Sequence, residues 1–470
     1  MARHYRPAPR ITLLGEGFYD VVTAARFPEH RLRFRNQRWA AEVGLDTLSG
    51  EEWEKHFARF EPLLCNLSQP LALRYHGHQF GAYNPQLGDG RGFLFAELTS
   101  GARILDLGTK GSGRTPWSRG GDGRLTLKGG VREVLATEML EARGVDTSKS
   151  FSLFETGEEL QRGDEPSPTR SSVLVRLSHS HVRFGTFQRL AHTRDRAGMT
   201  KLFDYVLATY FPSLASGGVE EAALPLAFLA EVTRRSADLC ASFMIAGFVH
   251  GVLNTDNMNV TGESLDYGPY RFLPTFDPGF TAAYFDHEGR YAYGRQPSVF
   301  LWNLTRLAEA LGTISPSAQF APALREFEPA FARSMQARML ARLGLASRGE
   351  DEDARLVDLV FAFLEESQAG FDRVFFDLHG GATSKARRED GPAKSKYAGE
   401  RFDSLERALS PYAPREGAIP PQGDAPCTLL IDEIESIWSA IAERDDWAPF
   451  EAKVQAIRAS GAAAGALVPQ

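Results

Sequence analysis

Cysteine is scarce in this chain. Its 470 residues hold three, Cys65, Cys240 and Cys427, which lie far apart and form no C-x-x-C pair. That pattern argues against a disulfide framework or a cysteine-based zinc site, and it fits a reducing compartment, the cytoplasm in a bacterial cell. Long apolar runs are missing too. The longest, "LCASFMIAGFVHGVL" at residues 239 to 253, is too short to span a bilayer and carries a histidine. The opening "MARHYRPAPRITLL" has neither the long apolar segment nor the small-residue cleavage site of a secretory signal. Positive charge is not in excess: 53 basic against 60 acidic residues give a net charge of −7. Neither a broad nucleic-acid-binding face nor a membrane partner is therefore expected.

What is present is a globular balance, 43% hydrophobic and 24% charged, over a length sufficient for two or three cores. The pattern changes along the chain. "EEWEKHFARFEPLL", residues 51 to 64, has the spacing of an amphipathic helix. "FLFAEL" and "ARILDLGTK" read as strands joined by the turn "TSG", and "FSLFETG" and "SSVLVRLS" as further strands. "VREVLATEMLEARG" between them has helical spacing with a glycine stop. From Phe187 onward long apolar-periodic segments take over, among them "MTKLFDYVLATYF", "PLAFLAEVTRRSADLCASFMIAGFV", "FLWNLTRLAEALG" and "ARLVDLVFAFLEES". Residues 376 to 426 are polar and read as a linker or flap, followed by a short helical tail whose end, "GAAAGALVPQ", is expected to fray. The expected fold is α+β. Its predicted parts are an N-terminal extension (1–50), a mixed α/β lobe (51–185), a helical lobe (186–375), and a linker with a divergent tail (376–470).

Several constellations could carry chemistry. In "QLGDGRGFLFAEL", Gly88, Gly90 and Gly92 precede a strand beside Arg91. Such glycines let backbone N–H groups approach a phosphate, and they serve a plain hairpin turn equally well. Lys110 ends the strand "ARILDLGTK", and Glu133 follows 23 residues later in the next helix. A strand lysine paired with a helix glutamate aims an ammonium at nucleotide phosphates; separately, they are a solvated lysine and a surface acid. "SRGGDGR" is a second glycine-rich loop, holding Asp122 and Gly123. Arg176 and Arg183 flank a strand end, a placement that suits a polyphosphate because the guanidinium fork is bidentate and always charged. His179 and His181 between them lack a third metal ligand nearby in sequence. Finally, "HGVLNTDNMNV" places Asp256 and Asn257 just after a long helix, and Asp266 opens "DYG" ten residues on. One carboxylate there could act as a base, while an amide oxygen and a second carboxylate could hold Mg²⁺. Asp277 in "DPGF" competes for that second place, and Asx turns collect the same residue types.

The order of these parts is that of a protein kinase: glycine loop, strand lysine, helix glutamate, Asp–Asn loop, D-x-G. Beyond that order, the chain resembles the selenoprotein O family (YdiU in bacteria), protein adenylyltransferases on a kinase-like two-lobed fold. The resemblance is carried from about residue 35 to 310 by "YHGHQFG", "QLGDGRG", "LGTKGSGRTPWSRGGDGR", "VREVLATEML", "VLVRLSHSHVRFGTFQ", "HGVLNTDNMNV" and "DYGPY". It implies transfer of AMP from ATP to Ser, Thr or Tyr hydroxyls of proteins, with Mg²⁺ or Mn²⁺. By matched position, Gly88, Gly90, Arg91, Lys110, Asp122, Gly123, Arg176, Arg183 and Asp266 would bind nucleotide. Glu133 would orient the lysine, Asp256 would be the base, and Asn257 with Asp266 would hold the metal. Asp277 has no counterpart. The chain departs from the family at its end, "ALVPQ", where many relatives carry a redox-active cysteine or selenocysteine; its last cysteine is Cys427. Beyond about residue 315 the family pattern is not expected to hold. AMP transfer and phosphoryl transfer use the same lysine, metal and base, so a protein kinase and a catalytically silent nucleotide-binding scaffold are the alternatives.

Overall fold

The computed structural model describes residues 4–163, 165–315 and 320–463. The first part of the chain supplies the strands β1 (Tyr19–Val21), β2 (Arg31–Arg35) and β3 (Leu71–Leu73), then a separate tight hairpin of β4 (Gly77–Gln79) and β5 (Ala82–Asn84). β6 (Leu94–Ser100), β7 (Arg103–Lys110), β8 (Leu125–Thr126), β9 (Lys149–Leu160) and β10 (Thr169–Ser178) follow. Except for the hairpin, these form one antiparallel sheet in the order β1-β3-β6-β7-β10-β9-β2, with β8 against β10. The strands predicted from "FLFAEL", "ARILDLGTK", "FSLFETG" and "SSVLVRLS" are β6, β7, β9 and β10.

Alternation along these strands divides the core. Phe93, Phe95, Leu107, Val173 and Val175 turn to one face and pack with Trp53 and Phe57. Those two belong to α2 (Gly50–Phe57), which follows the short α1 (Gln37–Glu42). Leu94, Leu153 and Leu174 turn to the other face, against Val131, Val134 and Leu135 of α3 (Leu127–Ala142). Thr126 caps α3 by accepting from the Gly129 N–H. Lys110 lies opposite Leu174, and Arg176 opposite Gly108. Cross-strand partners share a face, so the lysine and the arginine project on the α3 side.

After β10 the chain is helical: α4 (Phe184–His192), α5 (Arg196–Tyr210), α6 (Pro212–Ser216) and the 23-residue α7 (Leu224–Ala246). Cys240 is a fully buried core residue of α7. Gly247 ends α7 in the left-handed region, φ 65°, and its place leaves no room for a Cβ beside the Phe371 ring. The two-stranded pair β11 (Phe248–Val249) and β12 (Arg271–Phe272) brackets the Asp–Asn loop. α8 (Gln296–Leu311), α9 (Ala321–Arg325), α10 (Phe327–Leu343) and α11 (Glu350–Ser367) complete the helical core. Among the described residues no helix is long and apolar enough to cross a membrane.

About half of the polar stretch expected as a linker, residues 376 to 426, is helical. The end of α12 (Phe371–Leu378), α13 (Lys385–Asp390) and α14 (Glu400–Leu409) fall in it, joined by short turns, and residues 410–430 form its longest irregular run. The reason is an apolar stripe hidden among charges: Phe402, Leu405 and Leu409 are buried at helical spacing, and Arg388 stacks on Phe402 while pairing with Glu406. The predicted tail is no appendage. α15 (Ile431–Arg444) and α16 (Ala448–Ala463) return to the sheet-bearing half, where Arg458 makes a bidentate pair with the buried Glu138 of α3 at 2.7 Å and 2.7 Å. The terminal "ALVPQ" lies outside the described residues.

Candidate active site

A cavity of about 710 Å³ opens between the sheet-bearing half and the helical half. Gly88, Gly90, Arg91, Lys110, Asp122, Gly123, Arg176, Arg183, Asp256, Asn257 and Asp266 all line it, so residues scattered over 179 positions meet in one place. Glu133 stands just behind the wall, bonded to the Lys110 ammonium from α3.

The centre of the cluster is Asp266, held in the left-handed region at φ 71°. Its Oδ1 accepts from Lys110 Nζ at 2.5 Å and lies 3.5 Å from Arg176 Nη1, while Oδ2 lies 3.9 Å from Arg183 Nη1. Burial disfavours the charge on Asp266, but Lys110, then Arg176 and Arg183, hold the carboxyl well below the ordinary range. Arg176 and Arg183 are themselves buried, and Arg176 Nε, Arg176 Nη1 and Arg183 Nε have no hydrogen-bond acceptor. Buried donors of fixed charge without a hydrogen bond are costly, and both arginines line the cavity wall.

Asp256 sits in a single 3-10 turn, Thr255–Asn257, in the loop that follows β11. Arg183 Nη1 donates to its backbone carbonyl at 2.6 Å, so the arginine grips the loop and not the carboxylate. The carboxyl is buried and its Oδ1 has no hydrogen-bond partner. Burial pushes its pKa up to about 6, against the pull of Arg183. Asn257 turns its Nδ2 to the Val252 carbonyl at 2.8 Å, which directs its Oδ1 elsewhere.

The glycines serve the loops' packing on each other. A Cβ at Gly92 would lie 2.1 Å from the Thr109 carbonyl oxygen, and one at Gly88 would fall 2.4 Å from the Trp117 ring. Gly123, at φ 71°, passes equally close to the Gly113 carbonyl. Asp122 stands on the cavity rim, paired with Arg162 at 2.7 Å.

Other sequence candidates lie elsewhere. Asp277 is exposed and accepts from the Gly279 N–H at 2.8 Å, an Asx turn away from the cavity. His181 packs behind β7 with its Nδ1 3.1 Å from Asp106, and the His179 N–H donates to Glu263.

Comparison with known proteins then decides the family. A family model described as "Protein adenylyltransferase SelO" matches residues 2–458. The chain belongs to the SelO family. Among its relatives, a protein named "Protein nucleotidyltransferase YdiU" from Gloeobacter violaceus is 48% identical, covering 94% of this chain and 92% of its own length. Proteins of the same name from Synechocystis sp. and Rhodopseudomonas palustris are 44% and 36% identical, each over 96% of this chain. The likeness runs well beyond the expected limits of about 35 and 315. The C-terminal helices, through residue 458, fall within the matched span.

Sequence reading missed part of the site. Asp89 sits between two of the named glycines, is buried, and faces Arg183 at 3.6 Å. Tyr75 stacks under the Arg183 guanidinium, and Gln79 lines the cavity. All three fall within "YHGHQFGAYNPQLGDGRGF", where the glycine spacing is the stronger local signal and the roles of the side chains depend on distant contacts.

Proposed function

We propose that this SelO-family chain is a protein adenylyltransferase of the cytoplasm that moves AMP from ATP to Ser, Thr or Tyr hydroxyls of other proteins. The observation that carries the site assignment is the meeting of Lys110, Arg176 and Arg183 around Asp266, with buried guanidinium donors left unpaired beside an unpartnered Asp256 Oδ1. The matched family supports adenylyl transfer over phosphoryl transfer.

In this reading the chain has a kinase-like two-lobed build, with residues 51–185 above the cavity, 186–375 below it, residues 1–50 as an extension and 376–470 as a linker and C-terminal helical tail. Lys110, Arg91, Arg176 and Arg183 neutralise the triphosphate, and Glu133 keeps the lysine aimed. Gly88, Gly90, Asp122 and Gly123 shape the nucleotide wall. Asn257 and Asp266 fit a hard cation: both offer oxygen, both line the cavity, and Asp266 stays ionised. Mg²⁺, or Mn²⁺, held there would screen phosphate charge. The acceptor hydroxyl oxygen forms a bond to the α-phosphorus, the bond from that phosphorus to the oxygen bridging the β-phosphate breaks, and pyrophosphate leaves with that oxygen. Asp256 takes the hydroxyl proton.

The test is ATP labelled at either end. Label at the α-phosphate should reach protein and label at the γ-phosphate should not; the reverse result would make the chain a protein kinase. Asp256→Asn should lower transfer by about 10²–10⁴ while nucleotide affinity holds.

A further inference from the structure

The hairpin β4–β5 stands outside the sheet, and the roles above leave it unused. It nevertheless grips the loop that carries Asp256. The His78 N–H donates to Thr255 Oγ1 at 2.7 Å. Thr255 Oγ1 donates in turn to Gln188 Oε1 at 2.6 Å, and Gln188 Nε2 donates to His78 Nδ1 at 2.9 Å, closing a ring. At the hairpin tip the Phe80 N–H reaches Asn254 Oδ1 at 3.3 Å and the Tyr291 hydroxyl at 3.1 Å. Tyr291 also donates to Asn254 Oδ1, at 2.5 Å, so Asn254 is held from two sides.

Two residues of the hairpin face Asp256 itself. Gly77 lies so near that a Cβ would come within 3.0 Å of Asp256 Oδ1, which confines the carboxylate. Gln79, two residues on in the same strand, lines the same cavity as Asp256. Asn84 Nδ2 donates to Gln79 Oε1 at 3.1 Å, which fixes the amide and leaves its N–H₂ end for the aspartate. Arg183 holds only the backbone of Asp256, so the side chain takes its direction from the hairpin.

We propose that β4–β5 is the positioning element of this active site, and that Gln79, oriented by Asn84, sets the Asp256 carboxylate toward the acceptor hydroxyl. Gln79 is a positioning residue, and its role rests on Asp256 acting as the base. An amide suits this position because it donates to a carboxylate without adding a charge beside the phosphates.

The experiment uses the full chain and α-labelled ATP. Gln79→Ala should lower kcat roughly tenfold while KM for ATP, and affinity for a non-hydrolysable ATP analogue, stay within about twofold. Gln79→Glu has the same shape without the N–H donor, and it should lose as much. Asn84→Ala should lower kcat in the same direction by a smaller factor, and it decides between the outcomes should the Gln79 variants fold poorly. Wild-type kcat in the folded variants would overturn the proposal, and so would a raised KM with kcat unchanged. Asp256→Asn is measured alongside. Full activity there would sink the base assignment itself, whereas an inactive Asp256→Asn beside a fully active Gln79→Ala would sink only the role of the hairpin.

Discussion

Lys110→Met separates what the lysine does for the fold from what it does for the nucleotide. The Lys110 side chain is 5% exposed and lies between Glu133, 2% exposed, and Asp266, 25% exposed. Removing the ammonium leaves Glu133 buried in α3 without its counter-charge, while Asp266 keeps Arg176 at 3.5 Å and Arg183 at 3.9 Å. Breaking a buried pair from one side costs about 3–5 kcal/mol, because the remaining charge stays out of water. At about 2 cal/mol/K of unfolding entropy per residue, a chain of 470 residues melts roughly 1 °C lower per kcal/mol, so the drop should be about 3–5 °C. Adding Glu133→Gln removes the stranded charge and should restore most of that drop. ATP affinity should fall in Lys110→Met and should not return in the double variant, since the phosphates still lack their cation. Differential scanning calorimetry gives the first quantity and titration calorimetry with ATP and Mg²⁺ the second. A wild-type melting point in Lys110→Met, or recovery of ATP affinity in the double variant, would refute the reasoning.

Other predictions probe different parts of the molecule. Gly92→Ala should weaken ATP binding and cost at least about 1–3 kcal/mol, because its Cβ meets the rigid Thr109 carbonyl; equilibrium binding and urea unfolding check both. Arg458→Ala should destabilise by about 2 kcal/mol in urea unfolding, since the buried Glu138 loses a bidentate partner and keeps only Asn36 and the half-exposed Arg38. Burial, with Asp106 opposite, pushes the Glu97 carboxyl up from 4.5 to about 8. The folded state then binds more protons than the unfolded one, so this group's stabilising contribution is full below its ordinary value and is lost as pH rises through that window. Glu97→Gln should therefore flatten the fall in melting temperature between about pH 4.5 and about pH 8, and an unchanged slope would place the titration elsewhere.

Local pattern determined much of this protein. The strands β6, β7, β9 and β10, the helices α3, α5, α7, α8 and α11, and the order of glycine loop, lysine, glutamate and Asp–Asn loop were legible because apolar periodicity and short motifs are properties of neighbours in the chain. Where charge diluted the apolar stripe, as in α14, the same reading failed, and a helix looked like a linker. Tertiary structure alone decided how the pieces meet. Strand register sets Arg176 beside Lys110 through its pairing opposite Gly108, and pairing between segments 66 residues apart leaves no local trace. Asp277 looks as much like a site residue as Asp266, yet only Asp266 is carried to Lys110 and the arginines, by a left-handed turn after the β11 loop. Gln79 and Asn84 acquire a role only when the hairpin folds over residues 254–257, some 170 positions away. The residue types that do the chemistry belong to the sequence, but the electrostatic field and directions that make them a site arise from long-range contacts, because burial and proximity exist only once the chain has closed on itself.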